Sequence, residues 1–587
     1  MRNRKFLAHA VAALAAACAI LPADAYNHVN TVAPIAPGPF SVACSNIAQD
    51  ASRIAPGTTA ADYWEGRNGH YITEILAQPN GAIRFTAPVP DQRSIYPQHA
   101  GENIEFVAIV CYPTPAANTD PSYTLPSTGD VIPHMQAVGA APKIISIDEY
   151  GDAFNIALDG FGAMARLPLI VYSHGLTGSP ISKGYVSVLV QLAAQGFMVA
   201  GVFHGDPRFS RVRVEDLSDA FYLLRNFDNV VEMELLRPVS LKAMTDVLLG
   251  SPFAAGIDET RIGGFGASLG GEAMAMLAGA RVTTSLNLAC SDPVHDPRLR
   301  AVVGYVPFGG YSFLPGYCDA QAGAASVNRP YLAMSGTADT TAPLVQFRQA
   351  LNRFGSSRYL VELTDGQHEL RPEDVGDLFT WMVTFFRAYL DVPVDGGAMG
   401  RLITMTSVVG GRQDNLTVDV HVPFANKSGE ATVFELYNTR LNHYFITLDP
   451  AEFNSLVNDS GSAWLPTGQG FKVWPQPQSS GSVAPVCRFD AYRRGGPASA
   501  FFTVAGAECE ATKANRFWLY RGTPWYIQQP VGSPPACPFG YLGVNRAYNQ
   551  GHIRNDPSHR YTTSDSTMHE MEREGWTYEG MTMCSRP

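Results

Sequence analysis

The chain has 587 residues, of which 46% are hydrophobic, 16% charged and 11% aromatic. A disordered chain would carry more charge and fewer aromatic residues, so the composition excludes one, and the length predicts two or three folded domains. The 42 Lys and Arg residues against 53 Asp and Glu residues give a net charge of −11. No basic block follows the extreme N-terminus, which argues against nucleic-acid binding.

The first 25 residues have the three parts of a secretory signal peptide. Three basic residues precede an apolar run over residues 6–21, and Ala23-Asp24-Ala25 forms a small-residue cleavage site. The run is shorter than the ~20 residues of a membrane-spanning helix, so an N-terminal anchor is the less favoured alternative. We expect cleavage before Tyr26 and export, either to the periplasm or out of the cell. No later segment is long and apolar enough for a stable membrane span.

The nine cysteines become eight when Cys18 leaves with the leader. An even number in an exported protein favours disulfides over metal ligands, and no Cys-x-x-Cys pair suggests a zinc or redox site. Four cysteines precede residue 320 and four follow residue 480, which indicates two regions that are cross-linked separately. Each group of four allows three pairings. Pairing between neighbours predicts Cys44–Cys111, Cys290–Cys318, Cys487–Cys509 and Cys537–Cys584.

Alternating strands and helices dominate the chain after residue 165. Before that point, short strand-like runs such as Glu105–Val110 lie between loops rich in Pro and Gly. The later pattern predicts an α/β domain with a mostly parallel sheet and helices on both faces. The predicted strands are Leu169–Tyr172, Phe197–Phe203, Arg261–Phe265, Val302–Val306, Tyr331–Met334 and Tyr359–Leu363. The predicted helices are Tyr185–Gln195, Pro238–Leu249, Gly271–Leu277, Leu344–Arg353 and Phe379–Leu390.

The composition changes again near residue 391. Residues 391–430 are rich in Gly and polar residues, and Leu416–Val422 alternates like an edge strand. We therefore expect an α/β domain over residues 26–425, with a core at about 100–392, and a second domain over residues 431–587.

The second domain contains three weakly similar segments, each with aromatic residues before a Thr and a Trp after it. Thr447, Thr503 and Thr563 stand at steps of 56 and 60 residues. This period predicts a smaller β-rich domain of three repeats. Exposed Tyr and Trp side chains could bind a carbohydrate or polymer surface; the alternative, which we favour, is that they fill a small core.

Gly266-Ala-Ser-Leu-Gly270 matches the pattern G-x-S-x-G. It follows a predicted strand and begins a predicted helix, which is the context in which this pattern exposes a nucleophilic serine. The sequence therefore predicts that Ser268 is a nucleophile at the end of the sheet.

A nucleophilic serine needs a base and a carboxylate that orients the base. Asp339 and His368 each follow a predicted strand and so should lie at the same sheet edge as Ser268. The order Ser268, Asp339, His368 is that of α/β-hydrolases. Asp365 and Glu369 are rival acids, although both lie close to His368 in sequence.

The oxyanion of an acyl transfer needs backbone N–H donors. We expect the first donor to be the N–H of Leu269, the residue directly after the nucleophile. The loop Ser173–Gly178 follows the first predicted parallel strand, and its glycines allow its amides to turn inward. We expect Leu176 to supply the second donor and His174 to brace the loop.

Several segments resemble the α/β-hydrolase superfamily. They are Leu167-Pro-Leu-Ile-Val-Tyr-Ser-His-Gly175, Leu192-Ala-Ala-Gln-Gly196, and Ile257-Asp258 leading to Gly266-Ala-Ser-Leu-Gly-Gly271. Within the superfamily they resemble the secreted platelet-activating-factor acetylhydrolases and dienelactone hydrolase-like esterases, as do Tyr112-Pro, Leu125-Pro and Pro133-His-Met135. The resemblance covers about residues 100–392 and implies a serine ester hydrolase without metal or organic cofactor. The C-terminal repeats resemble a domain of unassigned function that accompanies secreted bacterial hydrolases.

The sequence alone does not determine the substrate. A small-molecule ester, a lipid, a polyester or an esterified polysaccharide would suit the same triad, and so would a peptide bond. Aromatic residues in loops 206–237 and 307–328, such as Phe209 and Phe308, could line an apolar acyl site, or they could pack those loops together.

Overall fold

The structure is a computed structural model, and it describes residues 34–154, 158, 162–211, 222, 225–284, 290–311, 314–390, 398, 401–402, 405, 416–421, 430–458, 463–478, 482–491, 499–538, 541–554 and 556–586. The predicted signal peptide, residues 1–25, lies outside the described residues and stays a prediction.

Among the described residues, ten strands form one mixed sheet that is flanked by helices. These strands are β1 Ser41–Cys44, β2 Ile83–Pro88, β3 Asn103–Thr114, β4 Leu167–Ser173, β5 Met198–Phe203, β6 Ile257–Ala267, β7 Leu299–Tyr305, β8 Tyr331–Gly336, β9 Arg358–Leu363 and β10 Leu416–His421. The sheet order is β1-β3-β5-β4-β6-β7-β8-β9-β10, and β2 pairs with β3. The six central strands, from β5 to β9 in this order, run parallel, whereas the outer pairings are antiparallel.

The helices of this part of the chain are α1 Ala60–Glu65, α2 Ile147–Ala153, α3 Tyr185–Ala194, α4 Phe227–Leu249, α5 Leu269–Leu277, α6 Leu344–Leu351 and α7 Val375–Tyr389. Three pairs of two-residue strands and a four-residue helix, Cys318–Gln321, lie in the connections.

The central strands are buried on both faces, which is why their sequences read as continuous apolar runs. Every residue of β4 is buried. Ile170 and Tyr172 contribute to a core that also contains residues of α3 and α7, whereas Leu169 and Val171 contribute to a core shared with α4, α5 and α6. Because successive side chains of a strand point to opposite faces, the sheet separates two helical layers. The predicted α/β class is confirmed at this level.

Helix α4 differs most from its prediction. It begins at Phe227 rather than at Pro238, so the proline lies inside the helix. Proline favours the first turn of a helix because it lacks an N–H, and this preference suggested the wrong start. Val231 and Leu235 are buried in the core against the sheet. Their burial offsets the backbone hydrogen bond that the proline removes.

Within the described part of the chain, four disulfides are present, with the pairing that neighbouring cysteines predict. Cys44–Cys111 joins facing residues of β1 and β3. Cys290–Cys318 joins the connection that precedes β7 to the connection that follows it. Cys487–Cys509 and Cys537–Cys584 lie in the C-terminal region. No disulfide joins the two halves in the residues that the structure describes.

The described residues after 430 form a separate β-rich region of three similar units, each with the element order strand, strand, helix, strand. The first unit has β11 Ala431–Asn438, β12 His443–Thr447, α8 Pro450–Asn458 and β13 Trp464–Val473. The second has β14 Val483–Ala491, β15 Ala500–Val504, α9 Ala507–Ala514 and β16 Trp518–Gln528. The third has β17 Leu542–Tyr548, β18 His559–Thr562, α10 Asp565–Arg573 and β19 Thr577–Ser585.

The strand register corrects the repeat pattern at one position. Thr447 pairs with Phe434 in the first unit, and Thr503 pairs with Cys487 in the second. In the third unit the equivalent position is Asn545, and it pairs with Thr562. This threonine lies one residue before the Thr563 that the sequence pattern predicts. The adjacent Thr-Thr pair made the two positions indistinguishable by residue type.

The repeated aromatic residues are mostly buried. Phe445, Trp464, Phe502, Tyr561 and Trp576 are each less than 10% exposed. These side chains therefore fill the core of the three units, as the favoured alternative predicts.

No helix in the described part of the chain is both long and apolar enough to cross a membrane.

Candidate active site

Ser268 occupies a sharp turn between β6 and α5. Its backbone has φ 55° and ψ −120°, a conformation that a non-glycine residue rarely adopts. The Ser268 N–H donates to the Tyr305 carbonyl at 2.8 Å, and the Ser268 carbonyl accepts from the Phe308 N–H at 3.1 Å. These bonds to the end of β7 and the loop after it hold the strained residue in place.

The two glycines of the motif allow the helix to pass close to the sheet. A Cβ on Gly266 would lie 2.1 Å from the Gly270 carbonyl oxygen, and one on Gly270 would lie 2.0 Å from the Ser173 carbonyl oxygen. Neither position has room for a side chain. The sequence G-x-S-x-G is therefore required here by backbone contact.

Asp339 and His368 come from the loops after β8 and β9, and the structure brings both of them to Ser268. The Ser268 Oγ lies 3.0 Å from His368 Nε2, and His368 Nδ1 lies 2.8 Å from Asp339 Oδ2. The Asp339 side chain is fully buried, whereas 22% of the His368 side chain is exposed. This arrangement can carry a proton from the serine to the imidazole and stabilise the charge that results.

The second oxygen of Asp339 fixes the carboxylate. Asp339 Oδ1 accepts from the backbone N–H groups of Thr341 at 2.8 Å and Ala342 at 2.9 Å. The rival acids are placed differently, because Asp365 and Glu369 are both exposed. Among the described acidic residues, only Asp339 is hydrogen-bonded to the His368 ring.

The predicted oxyanion donors flank the serine. Leu269 is the first residue of α5, where helix N–H groups have no acceptor within the helix. The loop Ser173–Gly178 passes on the other side, and a Cβ on Gly175 would lie 3.4 Å from the Ser268 Cβ. Leu176 follows directly and is 39% exposed.

A buried polar network that the sequence did not predict lies beneath this loop. Arg237 of α4 pairs with Asp206, which lies just after β5, and both side chains are only 1% exposed. The Arg237 guanidinium also donates to the carbonyl oxygens of His174 at 2.5 Å and Gly175 at 3.1 Å. Asp206 follows a strand end at the same sheet edge as Asp339, and this position is the signal that could have identified it.

His174 belongs to this network and braces the loop, as expected. Burial and the neighbouring Arg237 charge lower the pKa of His174 to about 3. Its Nε2 accepts from the His204 backbone N–H at 3.2 Å, so the neutral ring carries its proton on Nδ1. That Nδ1–H donates to the Gly175 carbonyl at 2.7 Å.

The proposed acyl-site aromatics are described only in part. Phe209 packs against Phe106 and His99, so it joins a loop to the sheet. Phe308 lies next to Ser268, because its backbone N–H donates to the Ser268 carbonyl. The predicted loop 206–237 is wrong for residues 227–237, because they belong to α4.

Only one group of three potential metal ligands occurs among the described residues, and it comprises Cys290, Cys318 and Asp319. Its two sulfur atoms are joined in a disulfide and do not offer thiolates.

Comparison with known protein families gives two matches. Residues 157–216 match the family described as platelet-activating factor acetylhydrolase, isoform II. Residues 415–528 match a domain of unknown function (DUF5648). No match to the chain was found among curated proteins.

The two matches confirm the resemblances that the sequence suggested. The first covers β4, the loop Ser173–Gly178, α3, β5 and Asp206, and it supports a hydrolase of the esterase or phospholipase type. The second covers the first and second C-terminal units, whereas the third unit continues the same element order beyond it.

Proposed function

We propose that the protein is an exported serine hydrolase with the α/β-hydrolase fold, and that it cleaves carboxylic esters through an acyl-enzyme. The observation that carries the proposal is the hydrogen-bonded series from Ser268 Oγ to His368 Nε2 and from His368 Nδ1 to Asp339 Oδ2. The family match at residues 157–216 supports an ester as the scissile group.

In the first half of the reaction, His368 Nε2 takes the proton of Ser268 as the Oγ attacks the ester carbonyl carbon. The N–H groups of Leu269 and Leu176 stabilise the negative oxygen of the tetrahedral intermediate. When the intermediate collapses, the bond to the alcohol oxygen breaks and the His368 proton moves to the leaving alcohol. Asp339 keeps the imidazole oriented and stabilises its charged form.

In the second half, water replaces the serine as nucleophile. His368 takes a proton from the water as the water oxygen attacks the acyl carbon. When the bond between the acyl carbon and Ser268 Oγ breaks, His368 returns the proton to that oxygen. The products are the carboxylic acid and the free enzyme.

The proposal is tested with Ser268→Ala and p-nitrophenyl esters from acetate to palmitate. We expect turnover to fall to background with every ester, because the nucleophile is absent, while the unfolding midpoint stays near that of the native protein. A fluorophosphonate probe should label the native protein and not the variant. Ser187→Ala, which changes an exposed serine of α3, is the matched control and should keep full activity and labelling.

A second pair of variants tests the choice of acid. Asp339→Asn should lower kcat by roughly 10³–10⁴-fold, because the amide would favour the wrong tautomer of His368. Asp365→Asn, at the exposed rival, should leave kcat unchanged. Turnover by Ser268→Ala, or equal effects of the two Asp variants, would contradict the assignment. Faster cleavage of a p-nitroanilide than of the matched ester would indicate a peptidase instead.

We also propose that residues 26–425 form the catalytic domain and residues 431–587 a separate domain. Among the described residues, the strands after residue 430 pair only with one another, and the cysteines pair within each half; both observations support this division. Export is supported by the four disulfides, and N-terminal sequencing of the exported protein should begin at Tyr26.

A further inference from the structure

The carbonyl oxygen of Gly175 accepts three hydrogen bonds. The donors are Nη2 of Arg237 at 3.1 Å, Nδ1 of His174 at 2.7 Å and the backbone N–H of Gly178 at 3.2 Å. A carbonyl oxygen has two lone pairs, so three donors are an unusual concentration of positive charge on one oxygen.

This carbonyl and the N–H of Leu176 belong to the same peptide unit. In a trans peptide the C=O and N–H bonds point in opposite directions within one plane. Donors that fix the Gly175 oxygen therefore also fix the direction of the Leu176 N–H, which points away from Arg237. Hydrogen bonds to the oxygen also polarise the peptide and make its N–H a stronger donor.

Arg237 is itself held rigidly. Its Nε lies 3.0 Å from Asp206 Oδ1 and its Nη2 lies 2.5 Å from Asp206 Oδ2, a bidentate pair with both side chains 1% exposed. Its Nη1 donates to the His174 carbonyl at 2.5 Å. Asp206 Oδ2 in turn accepts from the Thr177 N–H at 3.3 Å. The ion pair thus contacts the loop at three points: the His174 carbonyl, the Gly175–Leu176 peptide and the Thr177 N–H.

A buried ion pair is weak evidence for stability, because desolvation of the two charges opposes their attraction. A gain in folding free energy therefore does not explain why this ion pair is present. Its hydrogen bonds to the loop provide one, since an oxyanion donor must be aimed before the reaction begins.

We propose that Arg237, held by Asp206, is a positioning residue for the reaction: it orients and polarises the Gly175–Leu176 peptide so that the Leu176 N–H stabilises the oxyanion. This inference rests on the proposed function. It assigns the ion pair a role in the transition state and none in substrate binding.

The test uses the full chain with Arg237→Lys and with the double variant Arg237→Met/Asp206→Asn. The lysine keeps the charge but has no planar fork to reach Asp206 and two carbonyls together. The double variant removes both charges and leaves no unpaired buried ion. We expect kcat per active serine to fall about 10–100-fold in both variants, because loss of one oxyanion donor costs roughly 10²–10³-fold. KM should change less than about twofold, since substrate binding is not affected.

Two readouts separate this role from a structural one. Exhaustive fluorophosphonate labelling counts the folded molecules with a reactive Ser268, so kcat is expressed per labelled site. The inhibition constant of a trifluoromethyl ketone, whose adduct places an oxyanion in the same site, should rise by about the factor by which kcat falls. A structural role would lower the labelled fraction and leave both quantities unchanged.

The control is a second buried ion pair, Arg560–Glu435, in the C-terminal region. Arg560→Met/Glu435→Gln should lower the unfolding midpoint without changing kcat per labelled site. Native kcat and inhibition constant in the Arg237 variants would overturn the inference, provided that Ser268→Ala is inactive; turnover by Ser268→Ala would instead overturn the proposed function. If the double variant does not fold, Arg237→Lys decides the question alone.

Discussion

Glu272 of α5 is a buried carboxyl group outside the proton path of the triad. It is 2% exposed, and its Oε2 has no hydrogen-bond partner among the described residues. Burial raises its pKa well above the usual range, and the nearby Glu234 carboxyl raises it further. Burial likewise raises the pKa of Glu234 to about 8. In the folded protein these groups therefore keep protons that the unfolded chain releases near pH 4.3.

The sign of the pH effect follows from this difference. Between the unfolded and folded pKa values the native state binds more protons, so the free energy of unfolding falls as pH rises. Glu272→Gln cannot ionise and should remove the contribution of Glu272 to this dependence, while that of Glu234 stays. We expect its stability relative to the native protein to increase by roughly 1 kcal/mol per pH unit between pH 5 and 8. Urea unfolding at several pH values measures this.

The control for this prediction is Glu259→Gln, which changes an exposed carboxyl group and should follow the native protein at every pH. Parallel curves for Glu272→Gln and the native protein would mean that Glu272 is already ionised in the fold.

At the residue scale, the sequence predicted the candidate catalytic side chains, because such side chains follow the carboxyl ends of parallel strands. Ser268, Asp339 and His368 each follow a strand of the sheet, and the structure brings them within hydrogen-bond distance. Asp206 also follows a strand end, but Arg237 lies inside a helix 31 residues later, and only packing brings the two side chains together. Hydrogen bonds between distant residues of this kind leave no local signal in a single sequence.

At the element scale, the turn from β6 to α5 depends on Gly270. A Cβ there would lie 2.0 Å from the Ser173 carbonyl oxygen and 2.8 Å from that of His174, which belong to backbone that cannot move aside easily. Gly270→Ala should therefore lower the free energy of unfolding by about 3 kcal/mol, the upper part of the range for overpacked sites. It should also lower kcat, because the same contact displaces the loop that carries Leu176.

Gly376 of α7 provides the matched control. It is exposed, and a Cβ added to this residue would have no atom within 4 Å. Gly376→Ala should stabilise the protein by about 0.5–1 kcal/mol, because alanine is the better helix former. Chemical denaturation compares the two variants, and equal stability of Gly270→Ala and the native protein would contradict the close approach.

The parallel strands and most helices were predictable because they repeat a strong apolar pattern. The outer strands β1 and β2 were not, since β1 has only four residues and β2 is buried at only two of its six positions, so neither forms a long apolar run. The start of α4 was wrong because a local preference of Pro238 lost to the burial of Val231 and Leu235. Tertiary packing decided both cases.

At the scale of the whole molecule, ion pairs join the three C-terminal units. Glu452 of the first unit pairs with Arg488 of the second, and Glu508 of the second pairs with Arg546 of the third. Arg560 of the third unit pairs with Glu435 of the first. Each unit therefore contacts the other two through charged side chains, which favours unfolding of the three units together.

Removal of the disulfide in the second unit tests how far this cooperation extends. Cys487 and Cys509 join β14 to α9 and close a loop with a sequence separation of 22. Cys487→Ser/Cys509→Ser should destabilise the C-terminal region by about 3 kcal/mol, the entropy that such a cross-link removes from the unfolded chain. Because Ser268, Asp339 and His368 all follow strands of the ten-stranded sheet, kcat for ester cleavage should stay unchanged at 25 °C.

Calorimetry of the full chain, with residual esterase activity followed in parallel, measures both halves. If the halves are separate domains, the double variant shifts one transition and leaves the transition that abolishes activity in place. Cys44→Ser/Cys111→Ser, which frees β1 from β3, should do the reverse. A single transition that moves in both double variants would contradict the division at residues 425–431, because the loss of either cross-link would then be felt by one cooperative unit.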